Sequence, residues 1–367
     1  MKQLYVKDYW SVYTMQIDFH YDVIYVLARY AGFNRDDANT IAHSSQYVDD
    51  AEHGGIIKFT NHLPYYHIRT AHNICGEENK VVTANFNTWV PFHFLPGNIS
   101  DGKKETSYTS RLACKANSNL ANEMMCECIN HKNNINGLHR LGICLHVYAD
   151  TWAHQNFSGI SDKINCTKKI KVNDRAKPIQ EIPRDLINYV LNTFLDNYLP
   201  LGHGTVQSYP DIPFIKWSYT DYLGEVHNIN NYDRYIEAAD VIYKYLMRFK
   251  YGNSYKKADS LPSEARHKIL ELFKNIHGDK SERHHKWQDK INEGYFCKED
   301  KPSYSYIASG KNSWKSIALK SDILNDDDYY TVDESFDNSD WKKFHDAAKE
   351  HLNFVINNLL PEYKIIN

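Results

Sequence analysis

Residues 136–157 read NGLHRLGICLHVYADTWAHQNF, the longest apolar run at helical spacing in the chain. Residues four apart on an α-helix lie about 40° from one another around the axis. His146, Asp150 and His154 therefore share one face over two turns, and His139 falls on nearly the same stripe. Leu141, Leu145 and Val147, with Ala149 or Ala153, make the opposite face. A lone histidine on such a helix reads most simply as a core side chain bonded to a carboxylate or carbonyl. Three such polar side chains together are costly to bury without a cation. Imidazole and carboxylate are ligands that suit zinc.

Working outward, FHYDVIYVLARYAGF carries apolar residues at helical spacing and predicts a first helix from Asp18 to a stop at Gly32. Asn34 caps a second helix, with Asp36 and Asp37 in its first turn, running through TIAHSSQYVDDA. Residues 53–95 change character: GGIIKF and KVVTANFNTWVPFHFLPG predict a small insertion of short strands or ordered loops. SNLANEMMCECINH reads as a helix, 157–180 as a basic surface loop, 184–198 as a helix, and LPLGHGTVQSYPDIPFIKWSY as structured loop. Further helices are expected at about 232–250, 262–277 and 339–360, with loops and short helices over 278–338. The fold class is mainly α. The expectation is one large helical domain, 1–367, with a metal core over about 16–225 and 230–367 as a C-terminal helical extension.

Composition is that of a soluble globular chain: 42% hydrophobic, 24% charged, net charge −3. That balance gives no general electrostatic case for a nucleic-acid or acidic-lipid partner, and no stable nucleic-acid complex is expected. The seven cysteines form no CxxC pair; Cys126, Cys128 and Cys144 sit in helical patterns and read as buried free thiols. The N-terminal segment has no continuous apolar run of signal-peptide type, and no stretch approaches the roughly 20 apolar residues of a transmembrane segment. The expectation is a cytoplasmic protein, or one exported by a signal-peptide-independent route.

Other segments carry ligand types in apolar surroundings. Asp18-x-His20 opens the first helix; His43 and the pair Asp49–Asp50 lie on and at the end of the second. His93 stands in PFHFLPG, and His203 stands between two glycines with Asp211 eight residues on.

The segment HVYADTWAHQNFSGI, from His146 to Ile160, resembles the core motif of the zinc-dependent phospholipase C and single-strand-specific nuclease superfamily. In that motif an H-x3-D on a long helix is followed by another His and then by Asn-Phe. The family's other ligands match in order: an early His at His20, an acidic close of the second helix at Asp49 or Asp50, and a His-Phe pair at His93-Phe94. MQIDFHY, SQYVDDA and PFHFLPGN also resemble an uncharacterised bacterial and fungal group of unknown function. The likeness runs over roughly residues 16–160 as sparse motifs.

The resemblance implies a multi-helix phospholipase C/nuclease-like fold holding two or three Zn²⁺. It implies an enzyme, a phosphoric ester hydrolase that cleaves a phosphodiester (lipid head group or nucleotide) with metal-activated water. Asp150 would bridge ions, His93 and His146 complete the first site, and His154, His203 and Asp211 hold the second. His20 with Asp18 would form a third, and Asp49 or Asp50 would orient or deprotonate the water. Two departures stand out. The family's His-x3-Glu is absent, Gln207 occupying that place after His203, so Asp211 is expected to supply the carboxylate. Asp18 is expected to replace the family's N-terminal amine. A nuclease of the same superfamily is the alternative within the class. A non-catalytic scaffold or interaction protein stabilised by metal is the alternative outside it, and a delivered toxin or effector is a third setting. Tyr47, Tyr148, Trp152 and Phe157 read as cleft or core side chains.

Overall fold

The run Gly137–Ala153 folds as one continuous helix in the computed structural model, and every residue of it except Leu138 is buried. The structure describes residues 17–72, 81–98, 108–172, 201–252, 260–298, 305–323 and 328–366. The expected helix over 184–198 lies outside these residues.

In chain order, a π-helical turn, Asp18–Val23, runs into α1 (Ile24–Tyr30), followed by α2 (Arg35–Asp50). Next come β1 (Gly55–Phe59), β2 (Tyr65–His67), α3 (Val82–Phe92), the short α4 (Tyr108–Arg111) and α5 (Asn119–Asn130). The central α6 (Gly137–Ala153) precedes β3 (Lys168–Val172), β4 (Lys216–Thr220) and β5 (Val226–Asn230). The C-terminal part has α7 (Asn231–Tyr251), α8 (Ser263–Asn275), α9 (Lys280–Asn292), α10 (Trp314–Leu319) and β6 (Tyr329–Tyr330). It ends with α11 (Asp340–Phe354), a second π-helical stretch Val355–Leu359, and α12 (Leu360–Glu362). The chain is mainly helical. One small sheet runs β2-β1-β6, antiparallel then parallel; the other, β3-β4-β5, is antiparallel throughout.

α6 is the hub, packing against α2, α5, α7 and α11. A helix covered on all sides needs an apolar or paired residue on each face. Leu141 and Leu145 join the main core, Ile143 the smaller core shared with Phe344 and Ala348 of α11. Full burial of each such side chain contributes roughly 1.5–3 kcal/mol. α7 and α11, from the C-terminal part of the chain, thus complete the cover of α6. Helix starts follow sequence rules: Asn34 Oδ1 accepts the Asp37 N–H at 2.8 Å, and Ser118 and Ser339 cap α5 and α11. Each such cap stabilises its helix by about 1 kcal/mol. Among the described residues no helix is long and apolar enough to cross a membrane.

Three expectations are corrected. Among the described residues of 53–95 only the first half is strand; the β-branched, aromatic stretch 82–92 is helix α3, with Trp89, Val90 and Phe92 each buried in a different core cluster. Burial overrides weak strand propensity there. The segments read as loops at 157–180 and 199–219 contribute β3 and most of β4, whose pairing partner β5 lies beyond them in the chain. Residues 280–292, within the span expected to be loops and short helices, form the 13-residue α9, started by an Asp279–Glu282 capping box.

Candidate metal centre

Four parts of the fold converge on the polar stripe of α6. The π-helical turn delivers His20, the last turn of α2 delivers Asp49, and the residue just past α3 is His93. The loop before β4 delivers His203 and Asp211. His20, His93, His146, Asp150, His154 and Asp211 are each fully buried, His203 nearly so.

The first donor set centres on His146. Its Nε2 lies 3.2 Å from His93 Nδ1, 3.3 Å from Asp150 Oδ2 and 3.6 Å from Asp49 Oδ1. His93 donates through Nε2 to the Thr70 carbonyl at 2.9 Å, which turns Nδ1 and its lone pair inward. His20 stacks on His146 with centroids 3.8 Å apart, and its Nε2 reaches Asp150 Oδ1 at 3.2 Å.

The second set is His154, His203 and Asp211. His154 donates through Nδ1 to the His93 carbonyl at 2.9 Å, and His203 through Nδ1 to the Gln207 carbonyl at 2.8 Å. Such second contacts fix the tautomer and present Nε2 to a metal. The two Nε2 atoms stand 3.7 and 3.6 Å from Asp211 Oδ1 and Oδ2, too far to hydrogen-bond. Two donors on one tetrahedral zinc, with bonds of about 2.0–2.1 Å, stand about 3.3 Å apart. His154 Nε2 and both Asp211 oxygens are buried with no hydrogen-bond partner. Buried polar atoms are rarely left so.

Local packing sets this geometry. The Phe94 ring stacks on His154, centroids 4.4 Å apart at 18°. Gly202, at φ +54°, lies where a Cβ would come 2.6 Å from Phe94 Cζ, so only glycine lets the His203 loop approach. Asn165 ties the Ser158 backbone to this loop through Thr205, whose hydroxyl donates to the Asn165 carbonyl at 2.8 Å. Tyr235 donates to the Pro210 carbonyl at 2.7 Å and pins the turn carrying Asp211.

Electrostatics point the same way. Burial pushes the Asp150 carboxyl up, but the imidazoles of His154 and His146 outweigh it and hold Asp150 well below the usual carboxylate range. Burial lowers His20, His93 and His203; it lowers His146 to about 4, with His20 adding to the effect. His154 is raised: burial opposes the proton, and Asp150 and Asp211 more than offset it. Neutral imidazoles and ionised carboxylates are the ligand states a metal requires; His20, His93, His146, His203 and Asp150 are shifted towards them, and His154 is the exception. Among the described residues neither Asp150 nor Asp211 has a lysine or arginine partner.

These buried His/Asp clusters can hold metal ions: His20, Asp49 and His146; His93, His146 and Asp150; His154, His203 and Asp211, each with ligand atoms within 4.8 Å of one another. Asp18 is the clear correction. It sits two residues from His20 on the opposite side of the turn, where its Oδ2 accepts from Arg283 Nε at 2.8 Å. No third site of Asp18 with His20 is assembled. Of the adjacent carboxylates, Asp49 faces the histidines, while Asp50 is exposed and accepts from the Tyr306 hydroxyl at 2.6 Å. His43 stacks on Trp314 and His139 pairs with Asp340 at 3.0 Å, both away from the centre. Tyr47, Tyr148, Trp152 and Phe157 are buried core side chains. Sequence reasoning missed the carbonyls of Thr70 and Gln207, for which a sequence carries no signal. It also missed the role of Phe94, which PFHF did offer.

No curated protein and no solved structure matches the chain. A family profile covers residues 15–359, spanning both donor sets and the C-terminal helices through α11. The chain belongs to that family, a family of unknown function (DUF6765).

Proposed function

We propose that the chain is a metal-dependent phosphoric ester hydrolase, phospholipase C-like in fold and chemistry, with zinc as its ion. The observation that carries this reading is the His154–His203–Asp211 set. It offers three protein ligands, and a three-ligand zinc site keeps a position open for water or substrate, unlike a closed structural site. Asp150 links it to the first set, touching His146 with Oδ2 at 3.3 Å and approaching His154 Nδ1 at 3.8 Å. Divalent ions held here would lower the pKa of water towards about 7 and neutralise phosphate charge.

The chain's own residues then have separable tasks. His20 holds Asp150 Oδ1, so that the carboxylate is fixed between the two sets. Asp49, the most solvent-accessible of the inward ligands, either completes the first set or accepts a proton from water beside it. Phe94 holds the plane of His154. The substrate class is a phosphodiester, a lipid head group or a nucleotide.

Complete burial of nearly every ligand favours a second reading, a scaffold whose metal is structural. One experiment separates them. Metal-free protein is reloaded with Zn²⁺ and assayed on bis-p-nitrophenyl phosphate, phosphatidylcholine, a dinucleotide and single-stranded DNA. Zinc-dependent turnover that Asp211→Asn abolishes supports the hydrolase. A zinc-dependent rise in Tm with no turnover on any of the four substrates overturns it for the scaffold.

A further inference from the structure

Asp18 and Asp22 flank His20 on the π-helical turn, and both point away from the metal centre. Side chains four apart share a side of a helix, while the residue midway between them faces the other way. The shared side of Asp18 and Asp22 meets α9. Arg283, fully buried, donates through Nε to Asp18 Oδ2 at 2.8 Å and through Nη1 to the Gly278 carbonyl at 2.9 Å. The adjacent His284 contacts Asp22 Oδ2 through Nδ1 at 2.8 Å. The Asp279–Glu282 capping box sets the start of α9 just where the Gly278 carbonyl holds the guanidinium. Two consecutive residues of one helix therefore grip both ends of the five-residue span that carries His20.

We propose that Arg283 and His284 are positioning residues of the metal centre. By holding Asp18 and Asp22 they fix the His20 imidazole against Asp150 Oδ1 and over His146. The inference rests on the reading of the His/Asp cluster as metal-binding. π-Helical segments inside helices occur often at functional sites, and here the unusual winding is clamped from outside. Removing partners behind metal ligands typically costs about 10–100-fold in metal affinity.

The test uses the full chain freed of metal and titrated with Co²⁺ as an optical probe, then with Zn²⁺ in competition. Wild type is measured first; if it binds neither ion, the metal reading and this inference both fall. Given binding, the double variant Asp18→Asn with Arg283→Gln removes both charges and leaves neither buried alone. The expected result is affinity weakened about 10–100-fold at the His20 side, with an altered Co²⁺ absorption spectrum. The ion at His154, His203 and Asp211 should stay within about twofold, since outer partners act on the ligand they orient. Arg283→Lys keeps the charge but loses the second guanidinium contact, and it reports the same spectral change if the double variant does not fold. Leu272→Ala, a core variant in α8, controls for lost stability alone. An unaltered Co²⁺ spectrum with wild-type affinity in the folded variants overturns the inference. So does equal weakening in Leu272→Ala.

Discussion

His154 Nδ1 donates to the backbone carbonyl of His93 at 2.9 Å, so the main chain of one candidate ligand sets the tautomer of another 61 residues away. That bond ties the two donor sets together mechanically, while Asp150 ties them electrostatically. Their losses should nevertheless be separable. Asp211→Asn removes the only carboxylate of the second set and should lower bound zinc by about one ion per chain. Asp150→Asn touches both sets and should empty them. Elemental analysis of gently purified protein reads both outcomes, and unchanged zinc in the Asp150 variant would remove it as a ligand.

Asp49 and Asp50 make a sharper comparison because they are neighbours of identical chemistry. Asp49 Oδ1 stands 3.6 Å from His146 Nε2, whereas Asp50 accepts from Tyr306 and Gln46 on the solvent side. Asp49→Asn should reduce phosphodiester turnover at least about 100-fold, the scale of a lost general base. Asp50→Asn should leave kcat within about threefold and cost at most about 1 kcal/mol of stability, since the asparagine side-chain oxygen can still accept from Tyr306 and Gln46. Parallel kinetics of the two variants check this, and equal losses would refute the division.

The same pair shows what could be read in the sequence. α6 was legible because an apolar 3.6-residue period and a four-residue ligand spacing coincide on one segment. Which of two adjacent carboxylates turns inward was not legible, because it depends on where α2 ends against α6. Asp18 was misread for a related reason: spacing brings it near His20, but its partner Arg283 lies 265 residues on and no local pattern announces it. β3, KKIKV, is exposed along nearly its whole length, so it lacks the alternation that marks a strand. α9 buries only Arg283, His284 and Trp287, and its capping box was the sole local sign of a helix.

Stability should fall as pH falls, and His43 offers a place to measure it away from the ligands. Burial pushes this imidazole down to about 3, with Asp340 only partly opposing, and its ring stacks on Trp314 at 3.8 Å. Unfolded histidine titrates near 6.5, so between these values the unfolded chain takes up a proton that the folded one refuses. The contribution is therefore complete above about pH 6.5 and is lost progressively as pH drops towards 3, about 3 kcal/mol of it between pH 7 and pH 4. Urea unfolding of metal-free protein at those two pH values should show a smaller difference in His43→Gln than in wild type. An identical difference in the two proteins would rule out His43 as a source.

Gly142 decides how closely α2 and α6 approach, and with it whether Asp49 reaches His146. A Cβ at this position would come 2.4 Å from the Ile41 carbonyl oxygen and 2.5 Å from Ser44 Cβ. Neither neighbour is the far end of a flexible side chain, so the helices themselves must part. Overpacking of this kind costs about 1–3 kcal/mol, partly offset by the roughly 1 kcal/mol that alanine gains over glycine inside a helix. The displacement acts one turn from His146 and two turns from Asp49 along their respective helices. Gly142→Ala should thus stay folded, lose a few degrees in Tm, and weaken the first metal ion more than the second. Calorimetry with stepwise zinc titration checks it: a variant that loses Tm but binds both ions as wild type does would show that the helix spacing is not what positions Asp49.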